Sequence, residues 1–153
     1  MQLDATRLAP GLYQGSAPRS AQAVSDAGFG TLVLCAQEVQ PPDHVLTGLD
    51  VLRCPLVDDP TRPLTQAEWR AALNCSTAVA LRLRASRRVL VTCAQGLNRS
   101  GLVSALSLIL AAGWSPADAV RHIQRRRPAA LNNPQFVAAL SRMVVDCGTK
   151  RSG

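Results

Sequence analysis

The stretch Val89-Leu-Val-Thr-Cys93-Ala-Gln-Gly96-Leu-Asn-Arg99-Ser100-Gly101 places a cysteine and an arginine six positions apart, between an apolar run and an apolar helix. Val89-Leu90-Val91 is β-branched and apolar, as a buried strand requires, and Leu102 to Ala112 continues as a mostly apolar helix ended by Gly113. The residues between form a strand-to-helix turn. In such a turn successive backbone N–H groups point into one concavity, with the positive end of the helix macrodipole behind them. Gly96, mid-loop, has no Cβ to obstruct a close anion or to forbid φ > 0. Chance alone readily supplies a Cys-x5-Arg spacing in a chain with five cysteines and 16 arginines, so the strand, the glycine, the following serine and the helix give it its weight.

A free thiol titrating near pH 8.5 is only about 3% thiolate at neutral pH, and the thiolate is the nucleophile. A loop that uses Cys93 must therefore favour the ionised form. Lowering a thiol pKa by about three units takes roughly 4 kcal/mol, whereas a helix terminus supplies at most ~2 kcal/mol. Loop N–H groups of Ala94, Gln95, Gly96, Leu97 and Asn98, together with a nearby cation, must supply the rest. Arg99 meets that need, because its planar fork also grips two oxygens of a phosphoryl group and stays with them as charge redistributes. Ser100 offers a hydroxyl to the Cys93 sulfur when the thiolate must leave again. The other cysteines, Cys35, Cys54, Cys75 and Cys147, read as small buried hydrophobes.

A phosphomonoester also needs its leaving oxygen protonated, which suits a carboxylic acid on a mobile loop. Cys54-Pro-Leu-Val-Asp58-Asp59-Pro60-Thr-Arg-Pro63 offers two. It lies between a strand-like run, Leu49 to Cys54, and a helix opened by a Thr65-Gln-Ala-Glu68 capping box. An acidic pair in a Pro-rich turn is also ordinary turn chemistry, so these residues alone leave Asp58 and Asp59 both open.

Working outward, two short strands are expected around Arg7-Leu8 and Leu12–Gln14, then a helix from Arg19 to Ala27 closed by Gly28. A buried strand follows at Thr31–Cys35, and Gln40-Pro-Pro-Asp-His reads as a break. A long helix from Gln66 to Leu83 leads into the Val89 strand. Three helices finish the chain: Ser100–Ala112, Pro116–Arg126 with Ser115 as N-cap, and Pro134–Val145 after Asn133. Strands alternating with helices predict an α/β fold, a central mostly parallel sheet with helices on both faces, with the catalytic loop at the carboxyl end of a central strand. At 153 residues a single domain is expected, spanning 1–147, with a disordered tail at 148–153.

Net charge is +7, with arginine supplying 16 of the 17 basic residues, a balance that attracts polyanions such as RNA or acidic lipid. The clusters Arg82 to Arg88 and Arg121 to Arg127 fall at helix ends, where cations complement the dipole and face water. Aromatic residues make up only 3%, leaving few platforms for base stacking. No run approaches the ~18 apolar residues of a membrane span. Met1-Gln-Leu-Asp-Ala-Thr-Arg lacks the basic-then-apolar order of a secretory signal. Five cysteines at irregular spacing, without a Cys-x-x-Cys pair, point to reduced thiols and the cytoplasm. No metal or other cofactor is expected: His44 and His122 have no cysteine at ligand spacing and read as surface residues.

The sequence resembles the compact dual-specificity branch of the cysteine-dependent protein tyrosine phosphatases. Beyond the Cys93-to-Arg99 signature, Pro10-Gly-Leu-Tyr13-Gln-Gly15-Ser16 is similar to that family's Gly-Leu-Tyr-Leu-Gly-Ser opening strand. Pro55-Leu-Val-Asp58 looks like its general-acid segment, in a register that favours Asp58 over Asp59. Arg127-Pro128 through Asn133-Pro-Gln-Phe136 resembles its Arg-Pro…Asn-x-x-Phe ending. The resemblance implies a phosphatase-type fold, a monomer acting on phosphorylated protein, Cys93 as the nucleophile of a phosphocysteine intermediate, Arg99 as phosphate clamp and Asp58 as acid, then base. It also exposes a departure: the family usually has His before the nucleophile, and here that residue is Thr92, so one support for the thiolate is missing or replaced by a hydroxyl. The Gly96-Leu-Asn-Arg99-Ser-Gly101 form resembles RNA 5′-triphosphatases of the same superfamily as well. Phosphoinositides form a third substrate class, disfavoured by the uncharged Ala94, Gln95, Leu97 and Asn98, and a non-catalytic phosphate-binding module is a fourth reading.

Overall fold

A computed structural model of the chain describes residues 2–143. Five strands, β1 (Thr6–Ala9), β2 (Leu12–Ser16), β3 (Thr31–Leu34), β4 (Asp50–Arg53) and β5 (Val89–Cys93), form one sheet in the order β1-β2-β5-β3-β4. Only β1 is antiparallel to its neighbour; β2, β5, β3 and β4 run parallel. The helices are α1 (Ala21–Asp26), α2 (Gln66–Arg84), α3 (Arg99–Ala112), α4 (Pro116–Arg126) and α5 (Pro134–Ser141). This is the expected α/β fold.

Strand alternation divides the apolar residues between two cores. Leu32, Leu34 and Leu90 face Val24 of α1 and Phe29, whereas Leu12, Val33, Val89 and Val91 face the other side. There α3, buried from Arg99 through Ile109, packs against the sheet and is flanked by α2, α4 and α5. β5 is buried along its whole length because it has a parallel neighbour on each edge and helices above and below. Its carboxyl end is therefore a well-packed, central point of the sheet from which to hang a loop.

Several local signals act as expected. Thr65 and Glu68 form the reciprocal capping box, Ser115 and Asn133 cap α4 and α5, and Gly113 ends α3 at φ 72°. Others differ. The first helix begins at Ala21 rather than Arg19, because Ser20 takes an extended conformation and accepts the Ala23 N–H as its N-cap. Asp43 and His44, read as part of a break, open a 3₁₀ turn through Leu46. α5 ends at Ser141; Val144, Val145, Cys147 and the 148–153 tail lie outside the described residues. His44 is exposed, but His122 is not a simple surface residue: its Nε2 lies 2.6 Å from the Leu8 carbonyl and its ring packs on Trp114.

Most of the clustered arginines are exposed as expected, with Arg82 and Arg127 partly buried, and several also make tertiary hydrogen bonds. Arg82 pairs with Asp50, Arg84 donates to the Leu110 carbonyl, and Arg88 donates to the Ala27 carbonyl while covering the rings of Tyr13 and Phe29. Arg126 donates to the Arg7 carbonyl, and Arg127 pairs with Asp4. These guanidiniums tie elements together, since a five-donor fork satisfies carbonyls and carboxylates that a rigid fold brings within reach. Hydrogen bonding to Arg127 holds the Asp4 carboxyl at about 2, and the Arg62 side chain does the same for Glu68. Both folded-state values are depressed, so their stabilisation is complete above the unfolded pKa values near 4 and is lost as pH falls toward 2. Chemical denaturation should show constant stability from pH 7 to about 5, then a decline by pH 2 as the two carboxyls protonate, about 1 kcal/mol or less for the Asp4–Arg127 pair. Asp4→Asn should remove its share of that decline.

Candidate active site

β5 ends at Cys93, paired with Ser16 of β2, and the Cys35 N–H donates to the Thr92 carbonyl at 2.9 Å. The carboxyl ends of β2, β3, β4 and β5 all lie on one edge of the sheet, where an open α/β sheet presents its crevice. A cavity of about 390 Å³ opens there, lined by Cys93, Ala94, Gln95, Leu97, Asn98, Arg99, Asp58 and Asn132. It brings together the cysteine, the arginine and one of the two acids that the sequence singled out.

Gly96 has φ 71°, as expected of the loop, but it does not line the cavity. A Cβ there would lie 2.4 Å from the Gly15 carbonyl carbon, so its missing side chain makes room for β2. Its carbonyl accepts hydrogen bonds from Gln14 Nε2 at 2.9 Å and Arg127 Nε at 2.7 Å. Arg127 also donates to the Gln95 carbonyl at 3.1 Å. Gln14 and Arg127 thus fix two of the loop's carbonyls from behind.

Arg99 is the first residue of α3 and is almost wholly buried. Its terminal nitrogens grip Glu38 at 2.8 and 2.7 Å, and Nη1 is 3.4 Å from the Leu56 carbonyl. Its Nε has no partner among the described residues. The end of the fork is thus fixed by Glu38, while the edge formed by Nε and the second Nη2 hydrogen remains for two oxygens of an oxyanion. Hydrogen bonding to Arg99 keeps the Glu38 carboxyl below the usual carboxylate range.

The two acids have different surroundings. Asp59 accepts the Thr61 N–H and hydroxyl at 2.8 and 2.6 Å, an Asx turn that keeps its carboxyl low and occupies one oxygen. Asp58 lines the cavity; its carboxylate accepts Asn98 Nδ2 at 3.0 Å and Asn133 Nδ2 at 2.7 Å. Asn98 also donates to Asn132 at 2.9 Å and accepts the Asn133 N–H at 2.9 Å. Asn98 therefore makes no side-chain cap for α3. It joins the anion loop to the acid loop instead.

Ser100 is fully buried behind Cys93, its Oγ 3.2 Å from Sγ. The Thr92 hydroxyl, on the opposite face of β5, donates to the Val33 carbonyl at 2.7 Å. It gives Cys93 nothing in place of the missing imidazole. Cys35, Cys54 and Cys75 are buried as expected, and contact with Cys54 together with burial pushes the Cys35 and Cys75 thiols up. Glu38, Gln14 and Asn132 were not singled out from the sequence. The one usable signal was position: Glu38 follows the end of β3, on the edge where such sheets bind ligands.

A mostly parallel sheet that delivers cysteine and arginine on one anion-binding loop, with a carboxylate across the cavity, defines a cysteine-dependent phosphatase. Residues 12–144 match the family described as dual specificity phosphatase, catalytic domain, and the chain belongs to that family. Human dual specificity phosphatase 28 is 33% identical over 137 residues, covering 89% of this chain and 75% of the relative. Its crystal structure superposes with a TM-score of 0.76 at 30% identity, covering 93% of each chain. A mouse putative dual specificity phosphatase, crystallised with zinc tungstate, gives a TM-score of 0.77 at 25% identity over 99% of this chain and 92% of that one. No helix among the described residues is long and apolar enough to cross a membrane.

Proposed function

We propose that this phosphatase hydrolyses phosphomonoesters on protein tyrosine, serine or threonine through a phosphocysteine intermediate. The observation that carries the reading is the common cavity of Cys93, Arg99 and Asp58, with Asp58 held by the loop residue Asn98 and by Asn133. The Cys93 thiolate attacks phosphorus, forming the S–P bond as the P–O bond to the substrate breaks, and Asp58 delivers its proton to the leaving oxygen. Arg99 and the N–H groups of residues 94–98 hold the equatorial oxygens throughout. Water then attacks phosphorus, Asp58 takes its proton, and the S–P bond breaks to release phosphate. The Ser100 hydroxyl donates to the departing Cys93 thiolate. Asp59 does not line the cavity, and its carboxylate is engaged by the Thr61 N–H and hydroxyl.

The Gly96-Leu-Asn98-Arg99 loop keeps a second reading in play, an RNA 5′-triphosphatase, with the +7 charge as its support. The uncharged loop side chains leave phosphoinositides with little to recognise them. A monomer in the cytoplasm with reduced thiols suits all of these. The deciding test compares phosphotyrosine peptide, phosphothreonine peptide, 5′-triphosphate RNA and a phosphoinositide under identical conditions. Vanadate-sensitive release of phosphate is expected from the peptides at least tenfold faster than from the others. Faster release from RNA would establish the second reading, and no turnover of any substrate would leave a phosphate-binding module.

A further inference from the structure

Gln14 stands where the family's opening strand carries leucine, fully buried beneath the anion loop, and its Oε1 has no hydrogen-bond partner among the described residues. A buried acceptor left alone is costly, and leucine would avoid that cost. The amide must therefore be kept for what its other end does. Nε2 donates to the Gly96 carbonyl at 2.9 Å, approaches the Leu97 carbonyl at 3.4 Å, and donates to Ser100 Oγ at 3.2 Å.

A serine in the first turn of a helix ordinarily gives its proton to a carbonyl three or four residues back, here Leu97 or Gly96. The Gly96 carbonyl already accepts from Gln14 and Arg127, and the Leu97 carbonyl from the Leu131 N–H, while the second Gln14 amide proton goes to the Ser100 oxygen. Cys93 Sγ lies 3.2 Å from Ser100 Oγ, and once ionised it can no longer donate and becomes an acceptor for the Ser100 proton. We propose that Gln14 is a positioning residue that turns the Ser100 hydroxyl onto the Cys93 thiolate, supplying from β2 the support that Thr92 cannot give from β5. This device deepens the proposed mechanism and rests on Cys93 being its nucleophile.

The other groups facing Cys93 are Arg99 from α3, Arg127 from the end of α4, Asp58 from the β4–α2 loop and Cys35 beyond β3. All are retained in the variants that test the idea, so their influence cancels. The rate of Cys93 alkylation by iodoacetamide is followed against pH by mass spectrometry of the Cys93 peptide, in the native chain, Gln14→Leu, Ser100→Ala and the double variant. The alkylation midpoint should rise by about one pH unit in Gln14→Leu, a roughly tenfold slower reaction at acidic pH, and by a similar amount in Ser100→Ala. In the double variant it should rise no further than in Ser100→Ala alone. A residue that merely packs the loop would shift the midpoint in both backgrounds. An unchanged midpoint in Gln14→Leu, or a full additional shift in the double variant, overturns the proposal. If Gln14→Leu does not fold, Gln14→Met is read by the same two criteria, and an unchanged midpoint in Ser100→Ala overturns the proposal by itself. The readout needs no turnover, so failure of the catalytic reading, seen as activity surviving in Cys93→Ser, is distinguishable from failure of this one.

Discussion

Cys93→Ser should lower turnover of an aryl phosphate by about 10⁴-fold or more while leaving inorganic phosphate bound within a few fold of the native affinity. The two halves of that expectation come from different atoms. Turnover needs a nucleophile that is substantially ionised at neutral pH, and a serine hydroxyl in the same place is not. Binding needs donors, and those belong to Arg99 and the loop backbone, which the substitution leaves alone. The change should also abolish trapping of a phosphorylated enzyme: acid-quenched native protein carries label from radioactive substrate, and the variant carries none. Retained turnover in the variant would show that Cys93 is not the nucleophile, whatever else lines the cavity.

The loop was readable because its determinants are local. A buried β-branched run, a mid-loop glycine, a helix start and a capping box all express themselves within a few residues of chain, so β5, α3 and the N-cap of α2 were found at or near their observed bounds. What was not readable acts across long separations. Gln14 meets a carbonyl 82 positions away, Glu38 meets Arg99 across 61, and Asn133 meets Asp58 across 75. Nothing in a glutamate after a strand announces that an arginine will be brought to it. The arginines are a mixed case: Arg84, Arg88 and Arg126 are exposed as their charge suggests, yet they also bond carbonyls of distant elements, and the partly buried Arg82 and Arg127 pair with carboxylates that no local signal points to. Composition records how many cations a chain has, and only the fold decides which of them remain free for a polyanion.

Asp58→Asn should cost about 10²-fold or more in kcat on phosphotyrosine peptide, and the size of that cost should depend on the leaving group. A general acid matters most when the departing oxygen is strongly basic. With a nitrophenyl phosphate, whose leaving group is stable as an anion, the loss should shrink to about tenfold or less, and on an alkyl phosphate such as phosphothreonine it should grow. This trend separates proton delivery from mere disturbance of the loop. Asn keeps the shape of the side chain but replaces one carboxylate oxygen with an N–H donor, so either Asn98 or Asn133 loses its acceptor. Misplacement from that lost contact would slow every substrate by a similar factor. The Asn133→Ala variant, which removes one holder but keeps the acid, supplies the comparison: a uniform loss there and a leaving-group-dependent loss in Asp58→Asn together assign the proton to Asp58. The same pair bears on the RNA reading, because attack on a 5′-triphosphate expels a diphosphate that is already a good leaving group. A chain built for that reaction should tolerate Asp58→Asn on its native substrate, and a chain built for phosphoprotein should not.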